Sequence, residues 1–169
     1  LEGRKDKIRV VLGRHEGAAS CMADMYGRMT GKPGVLIGQG PWIGSSGALG
    51  ILEAFYAGSP MLVVTDFSDY AGLTQHGVYQ NSSGDHGAAD LVAMMRSMTK
   101  YTTVATNAGE FIHGVRLAIK HAVTGRPGPA CVIVRWNVVT EEVQPEAVFP
   151  KLYPLAGHLS VSRPCIHPE

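Results

Sequence analysis

No apolar run in this chain approaches the roughly 20 residues that a bilayer-crossing helix needs; Met61 to Val64 and Cys131 to Val134 are typical of the short ones. An excess of one charge is missing too. Lys and Arg number 15 against 14 Asp and Glu, a formal net charge of +1. That balance gives no electrostatic footprint for nucleic acid or a membrane surface. Cysteine is scarce: Cys21, Cys131 and Cys165 are odd in number and far apart. Such spacing argues against a disulfide framework and a zinc cluster and fits a reducing cytoplasm. Cys21 and Cys131 fall in apolar segments, where buried, inert thiols are expected. The polar start, Leu1 to Lys7, has no signal-peptide core. It also has no initiator Met, so a trimmed or incomplete chain is expected.

Several catalytic patterns fail on spacing. His15-Glu16 would need a second histidine at 19 for a zinc protease, and the chain has Ala19. The loop from Gly38 resembles a dinucleotide fingerprint, but its third glycine, Gly44, comes one residue late. Pro41 also removes an N–H that a phosphate cradle would use. Gly44-Ser45-Ser46-Gly47 is one residue short of a nucleophile elbow. Asp85-His86 fits a solvated loop pair better than an acid–base couple. A phosphate-binding lysine loop is lacking.

What remains is a sequence of 169 residues, 45% hydrophobic and 17% charged, with 21 glycines. That is the size and balance of one domain with a sound core and many turns. Ile8 to Leu12 reads as a buried strand, and Glu16 to Gly31 as a helix with Ala18, Met22, Met25 or Tyr26, and Met29 at core spacing. Gly31 and Pro33 close that helix. Val35 to Ile37 predicts a strand running into a glycine-rich loop from Gly38 to Gly47. The next helix, with Leu49, Leu52, Phe55 and Tyr56 on one face, ends near Gly58.

Met61 to Thr65 predicts a third strand, and Asp66 to Asp90 a long irregular stretch of functional length. A short helix at Leu91 to Met98, a strand at Tyr101 to Ala105, a helix capped by Asn107, and a strand at Ala130 to Arg135 complete the pattern. After Val139 the prolines at 145, 150, 154, 164 and 168 predict a linker over 140–169, following a domain over 1–139. Alternating strands and helices imply an α/β fold, a parallel sheet with helices on both faces. Ligands in such sheets gather at the carboxyl ends of the strands.

Glu16 stands where the first run meets a helix. On spacing alone it is a first-turn acid that caps the helix. Backbone N–H groups and the positive helix end can also orient such a carboxylate, and partial desolvation can make it an acid or base. Glu16, Gly40-Pro41 and the loop after Thr65 all follow expected strand ends, which favours a shared site.

Together these residues resemble the N-terminal pyrimidine-binding domain of thiamine-diphosphate-dependent enzymes, especially the acetohydroxyacid (acetolactate) synthase group. The resemblance rests on Arg14-His15-Glu16 with Ala18-Ala19, on the run from Met22 to Gly34, and on Gly40-Pro41. Ser59-Pro60-Met61, Tyr79-Gln80 and the turn from Thr124 to Pro129 continue it. It covers most of Val10 to Val134.

The resemblance implies that Glu16 is catalytic, hydrogen-bonding N1′ of the cofactor's aminopyrimidine and promoting the tautomer that deprotonates the thiazolium. It implies that Gly40 and Pro41 lie beside the pyrimidine, with Ser46 in the same cofactor site, and that Gln80 lies close to a 2-keto acid substrate. No metal ligand is expected within the chain. Magnesium would be bound with the diphosphate by a domain absent from it, and the chain says nothing about FAD.

A homodimer or homotetramer is expected of the full-length enzyme, with no nucleic acid and no membrane partner. Where the family has a third glycine and then an asparagine, this chain has Trp42 and roughly Ser46; Asn81 replaces an acidic residue. Trp42 would crowd the loop, so either the pocket is reshaped or the substrate differs. Two alternatives stay open: another thiamine-diphosphate 2-keto acid decarboxylase, and a truncated non-catalytic interaction module.

Overall fold

Two central strands organise the molecule, and their composition dictates that position. Met61–Asp66 and Pro129–Val134 are almost wholly apolar, and every residue of the second is buried. Strands covered on both faces read as continuous apolar runs. The computed structural model describes residues 6–66, 81–85 and 87–143. In chain order its elements are α1 (Glu16–Thr30), β1 (Gly34–Gly38), α2 (Gly40–Gly44), α3 (Ala48–Ala57) and β2 (Met61–Asp66). α4 (Leu91–Met98), β3 (Tyr101–Ala105), α5 (Ala108–Val123), β4 (Pro129–Val134) and α6 (Trp136–Val139) follow.

The four strands form one parallel sheet in the order β1-β2-β4-β3. Register pairs Gly38 with Thr65 and Asp66 with Val134, so the carboxyl ends of the strands share one edge. Alternate residues divide the core. Leu36, Met61, Val63, Cys131 and Ile133 face Ile43, Ile51, Leu91 and Met95 from the helices on one side. Leu62, Ala130 and Val132 face Ala118 and Ala122 of α5 on the other. The expected α/β architecture, helices on both faces of a parallel sheet, is what the chain adopts.

Local chemistry explains the helix limits. His15 caps α1, its Nδ1 accepting from the Gly17 N–H at 3.1 Å. Asp90 caps α4 and Asn107 caps α5 in the same way, through Ala93 and Glu110. Gly31 and Gly58 end α1 and α3 in the left-handed conformation that glycine adopts without steric cost.

Four expectations are corrected. Ile8 to Leu12 is not a strand and is not buried; Leu12 is 93% exposed. β-branched, apolar composition favours a strand only where a neighbour supplies the other half of the ladder, and among the described residues none pairs with this segment. The glycine-rich loop contains the short helix α2, for which Pro41 near the start presets the backbone.

The helix faces also differ from expectation, throughout in α1 and in part in α3, where Leu52 still packs against the core. α1 buries Gly17, Ser20, Ala23, Asp24 and Gly27, and α3 buries Gly50, Ile51 and Ala54. Met22, Met25, Tyr26, Met29, Leu49 and Tyr56 are exposed. The cause is close helix packing: a Cβ on Gly50 would overlap the Ser20 backbone. Ser20 Oγ accepts from the Gly50 N–H at 3.1 Å and donates to the Gly17 carbonyl at 2.8 Å. Finally, Cys131 is buried as expected, and burial pushes its thiol far up, but Cys21 is only partly covered. Cys165 and the linker from 144 onward lie outside the described residues.

Candidate functional site

α1 leads directly into β1 and packs beside it, so its first turn stands at the carboxyl edge of the sheet. Glu16 is the first residue of that helix and is half-buried. The capping role that spacing alone would give it belongs to His15. Among the described residues, no hydrogen bond or ion pair engages the Glu16 carboxylate. A half-buried carboxylate at the positive end of a 15-residue helix, released from capping, is available to a ligand.

The loop after β1 comes to the same place. A Cβ on Gly17, the neighbour of Glu16, would stand 3.0 Å from the Ser46 carbonyl oxygen, so the start of α1 rests on the end of this loop. Ser46 is half-buried there. Gly40 and Pro41 begin α2 at the other end of the loop, and Ser45 joins the two ends. Its N–H and its hydroxyl both donate to the Pro41 carbonyl, at 3.0 and 2.7 Å. Glu16, Gly40, Pro41 and Ser46 are therefore brought to one corner of the sheet edge. Gln80 lies outside the described residues, as does His86 of the Asp85-His86 pair.

Room in this corner is decided by side chains that are absent. A Cβ on Gly40 would overlap the carbonyl oxygen of Asp66, and one on Gly44 would press into Leu91 at 2.8 Å. α2 therefore lies flat against the end of β2 and the start of α4. Trp42 is 40% exposed on the outer side of this turn. Two side chains of β2 fix the turn, and sequence reasoning did not single out either. Thr65 Oγ1 donates to the Gly38 carbonyl at 2.8 Å, and Asp66 Oδ1 accepts from the Gly40 N–H at 3.2 Å. The available signal was a polar pair, Thr65-Asp66, closing an otherwise apolar run.

A separate hollow of about 250 Å³ opens at the opposite edge, between Gly27, Arg28, Gly58, Ser59 and Pro127. Its Ser59 Oγ is buried without a hydrogen-bond partner. Arg28 is committed to Asp24 at 2.9 Å, with Glu53 at 3.8 Å. Among the described residues its lining holds no carboxylate to manage a proton, and the Glu16 corner remains the better chemical site. Among the described residues no helix is long and apolar enough to cross a membrane.

Comparison with known proteins bears on the family and on the fold. The family profile described as "Thiamine pyrophosphate enzyme, N-terminal TPP binding domain" matches residues 1–94. The acetolactate synthase large subunit of Haemophilus influenzae is 31% identical over 162 residues, covering 95% of this chain and 26% of that protein. The mitochondrial catalytic subunit of acetolactate synthase from Saccharomyces cerevisiae is 33% identical over 132 residues, or 75% of this chain and 17% of the relative. Among solved structures, a thiamine diphosphate-dependent 4-hydroxybenzoylformate decarboxylase from Rhodococcus jostii RHA1 superposes with a TM-score of 0.72 at 24% identity. That match covers 98% of this chain and 28% of the other, and speaks to the fold. The chain thus spans about a quarter or less of the length of these curated relatives.

Proposed function

We propose a function from one premise: the chain belongs to the thiamine pyrophosphate enzyme family, whose N-terminal TPP binding domain it matches over more than half its length. It is the pyrimidine-binding part of a thiamine-diphosphate-dependent lyase or carboligase acting on 2-keto acids, most like acetolactate synthase. The observation that carries this reading is Glu16. Its carboxylate is half-buried at a helix start and relieved of capping by His15, beside the loop that spans Gly40, Pro41 and Ser46.

The residues present suit an aminopyrimidine. Glu16 is an acceptor that can share a proton with the ring nitrogen N1′. Gly40 keeps the turn close to the sheet, where a side chain would push it away. Pro41 and Ser46 wall the same corner, and Gln80 serves the substrate. Thiamine diphosphate, when bound, supplies the nucleophilic carbon that attacks a 2-keto acid; the protein supplies orientation and proton control. Holding a proton at N1′ is the task of Glu16, and its protonation state sets how strongly that nitrogen is polarised. Magnesium, on this reading, is held by residues outside this chain.

The working protein is a homodimer or homotetramer. Support comes from the exposed stripe of Met22, Met25, Tyr26 and Met29 on α1, with Leu49 and Tyr56 on α3, since apolar stripes of this kind mark association surfaces. The same stripes favour a second reading, a non-catalytic interaction module that keeps the fold without the chemistry. The scattered cysteines support a reducing compartment such as the cytoplasm.

Carbon dioxide release from 2-keto acids by the full-length gene product tests the main reading. Glu16→Gln is expected to lower turnover on the order of 10²- to 10⁴-fold. Unchanged turnover in that variant would overturn the role of Glu16. Product analysis separates a carboligase from a simple decarboxylase. Calorimetry with thiamine diphosphate and magnesium separates either from an interaction module, for which no heat of binding is expected.

A further inference from the structure

α2 has an incomplete beginning of its own. A helix start leaves its first N–H groups without partners inside the helix. Here the N-cap residue Gln39 provides no side-chain cap, and Pro41 has no N–H to satisfy. The Ile43 N–H donates to the Gln39 carbonyl at 2.9 Å and starts the helical ladder. The Gly40 N–H is satisfied from far along the chain, by Asp66 Oδ1 at 3.2 Å.

The preceding residue of β2 acts on the other side of Gln39. Thr65 Oγ1 donates to the Gly38 carbonyl at 2.8 Å. Two adjacent side chains at the end of a central strand therefore bracket the backbone on either side of Gln39. Packing closes the same clamp, because the Asp66 carbonyl lies against Gly40 where a Cβ would have to fit. The turn is thus tied to the sheet through these two side chains of β2.

We propose that Asp66 is a positioning residue for the site: its carboxylate oxygen ties Gly40-Pro41 to the central strand and so sets where that turn meets an aminopyrimidine. This rests on the reading of Gly40-Pro41 as cofactor-binding. The bond needs an acceptor oxygen at that reach. A full negative charge strengthens it but is not required. Asp66→Asn keeps the oxygen; Asp66→Ala removes it; Asp66→Ser leaves a hydroxyl too short to reach.

Two measurements test this. Amide hydrogen exchange at Gly40 is followed by NMR in the full chain without cofactor. Affinity for thiamine diphosphate with magnesium is followed by calorimetry in the full-length gene product. In Asp66→Ala, Gly40 exchange is expected to rise and cofactor affinity to fall, each by about tenfold or more, as for loss of one hydrogen bond to a charged acceptor. Asp66→Asn is expected to return both to within about threefold of the wild type.

Where Asp66→Ala does not fold, Asp66→Ser takes its place with the same expected pattern. Unchanged Gly40 exchange in Asp66→Ala, or an Asn variant as impaired as the Ala variant, overturns the proposal. Exchange that follows the expected pattern while the wild type itself binds no thiamine diphosphate overturns the cofactor reading and leaves the tether standing.

Discussion

The two faces of the sheet are covered by helices of opposite design. α5, on one face, turns Phe111, Val115, Ile119 and Val123 towards Leu62, Ala130 and Val132, and leaves Glu110 and His113 exposed. That is ordinary amphipathic packing. On the other face, α1 and α3 press their smallest residues together and hold Met22, Met25, Met29, Leu49 and Tyr56 outward. The difference teaches that close approach can outrank side-chain size in choosing a buried face. Ser20 reaches Gly50 only because neither helix has bulk at the crossing. The start of α1 that carries Glu16 is fixed by the same packing, so the site depends on the face with small residues.

Closing that approach should give the largest effect. In Gly50→Ala the added methyl would overlap the Ser20 and Cys21 backbone, and no flexible side chain can yield there. The helices must separate, loosening Ile51 and Ala54, both fully buried. A loss of about 2–4 kcal/mol is expected, in the range of overpacked cores, read by urea unfolding. A loss under about 0.5 kcal/mol, typical of surface changes, would mean that the crossing is not set by the glycine.

A paired substitution tests the comparison itself. Phe111→Ala on α5 removes a partly buried ring that packs against two clusters of the core, and should cost about 1–2 kcal/mol. Met25→Gln on α1 alters a side chain that is 50% exposed, and should change stability by no more than about 0.5 kcal/mol. Its effect should appear instead as weaker self-association of the full-length protein in sedimentation. Equal stability losses from the two variants would erase the distinction between the faces.

How much of this was legible depended on how local the cause was. α5 was readable from Asn107 to Val123 because its cap is written within the helix's first turn, with Asn107 accepting from the Glu110 N–H. Leu91–Met98 and Tyr101–Ala105 were readable for similar reasons of short-range pattern. Ile8 to Leu12 misled because strand formation needs a neighbour that no composition supplies. The faces of α1 and α3 misled because counting large apolar residues ignores what small ones permit. At the site, Glu16, Gly40, Pro41 and Ser46 were legible as residues near strand and helix ends. The tether from Asp66 was not, since it exists only once register pairs Gly38 with Thr65.

The smallest effect sharpens the comparison on the α5 side. His121, near the end of α5, stacks on Tyr101 of the edge strand, with ring centroids 4.3 Å apart and planes 11° from parallel. Burial, then the charges of Lys100 and Lys120, hold its pKa below the usual histidine value. Lys100 is anchored by the carbonyls of Thr124 at 2.8 Å and Arg126 at 2.6 Å, so that charge stays in place. A depressed histidine pKa means that the unfolded chain binds the proton more readily than the folded one. Stability is therefore undiminished above about pH 6.5 and falls as the pH drops from there towards the folded value. Because His121 is only partly covered, solvent screening should limit the loss to a few tenths of a kcal/mol, about 0.3. His121→Phe keeps a ring against Tyr101 and removes the proton. Carboxylates elsewhere titrate equally in both proteins, so the difference between their urea stabilities isolates this group. Between about pH 7.5 and 5.5 the variant should lose less stability than the wild type. Identical slopes would show that neither burial nor the lysines beside it depress the pKa of the stacked ring.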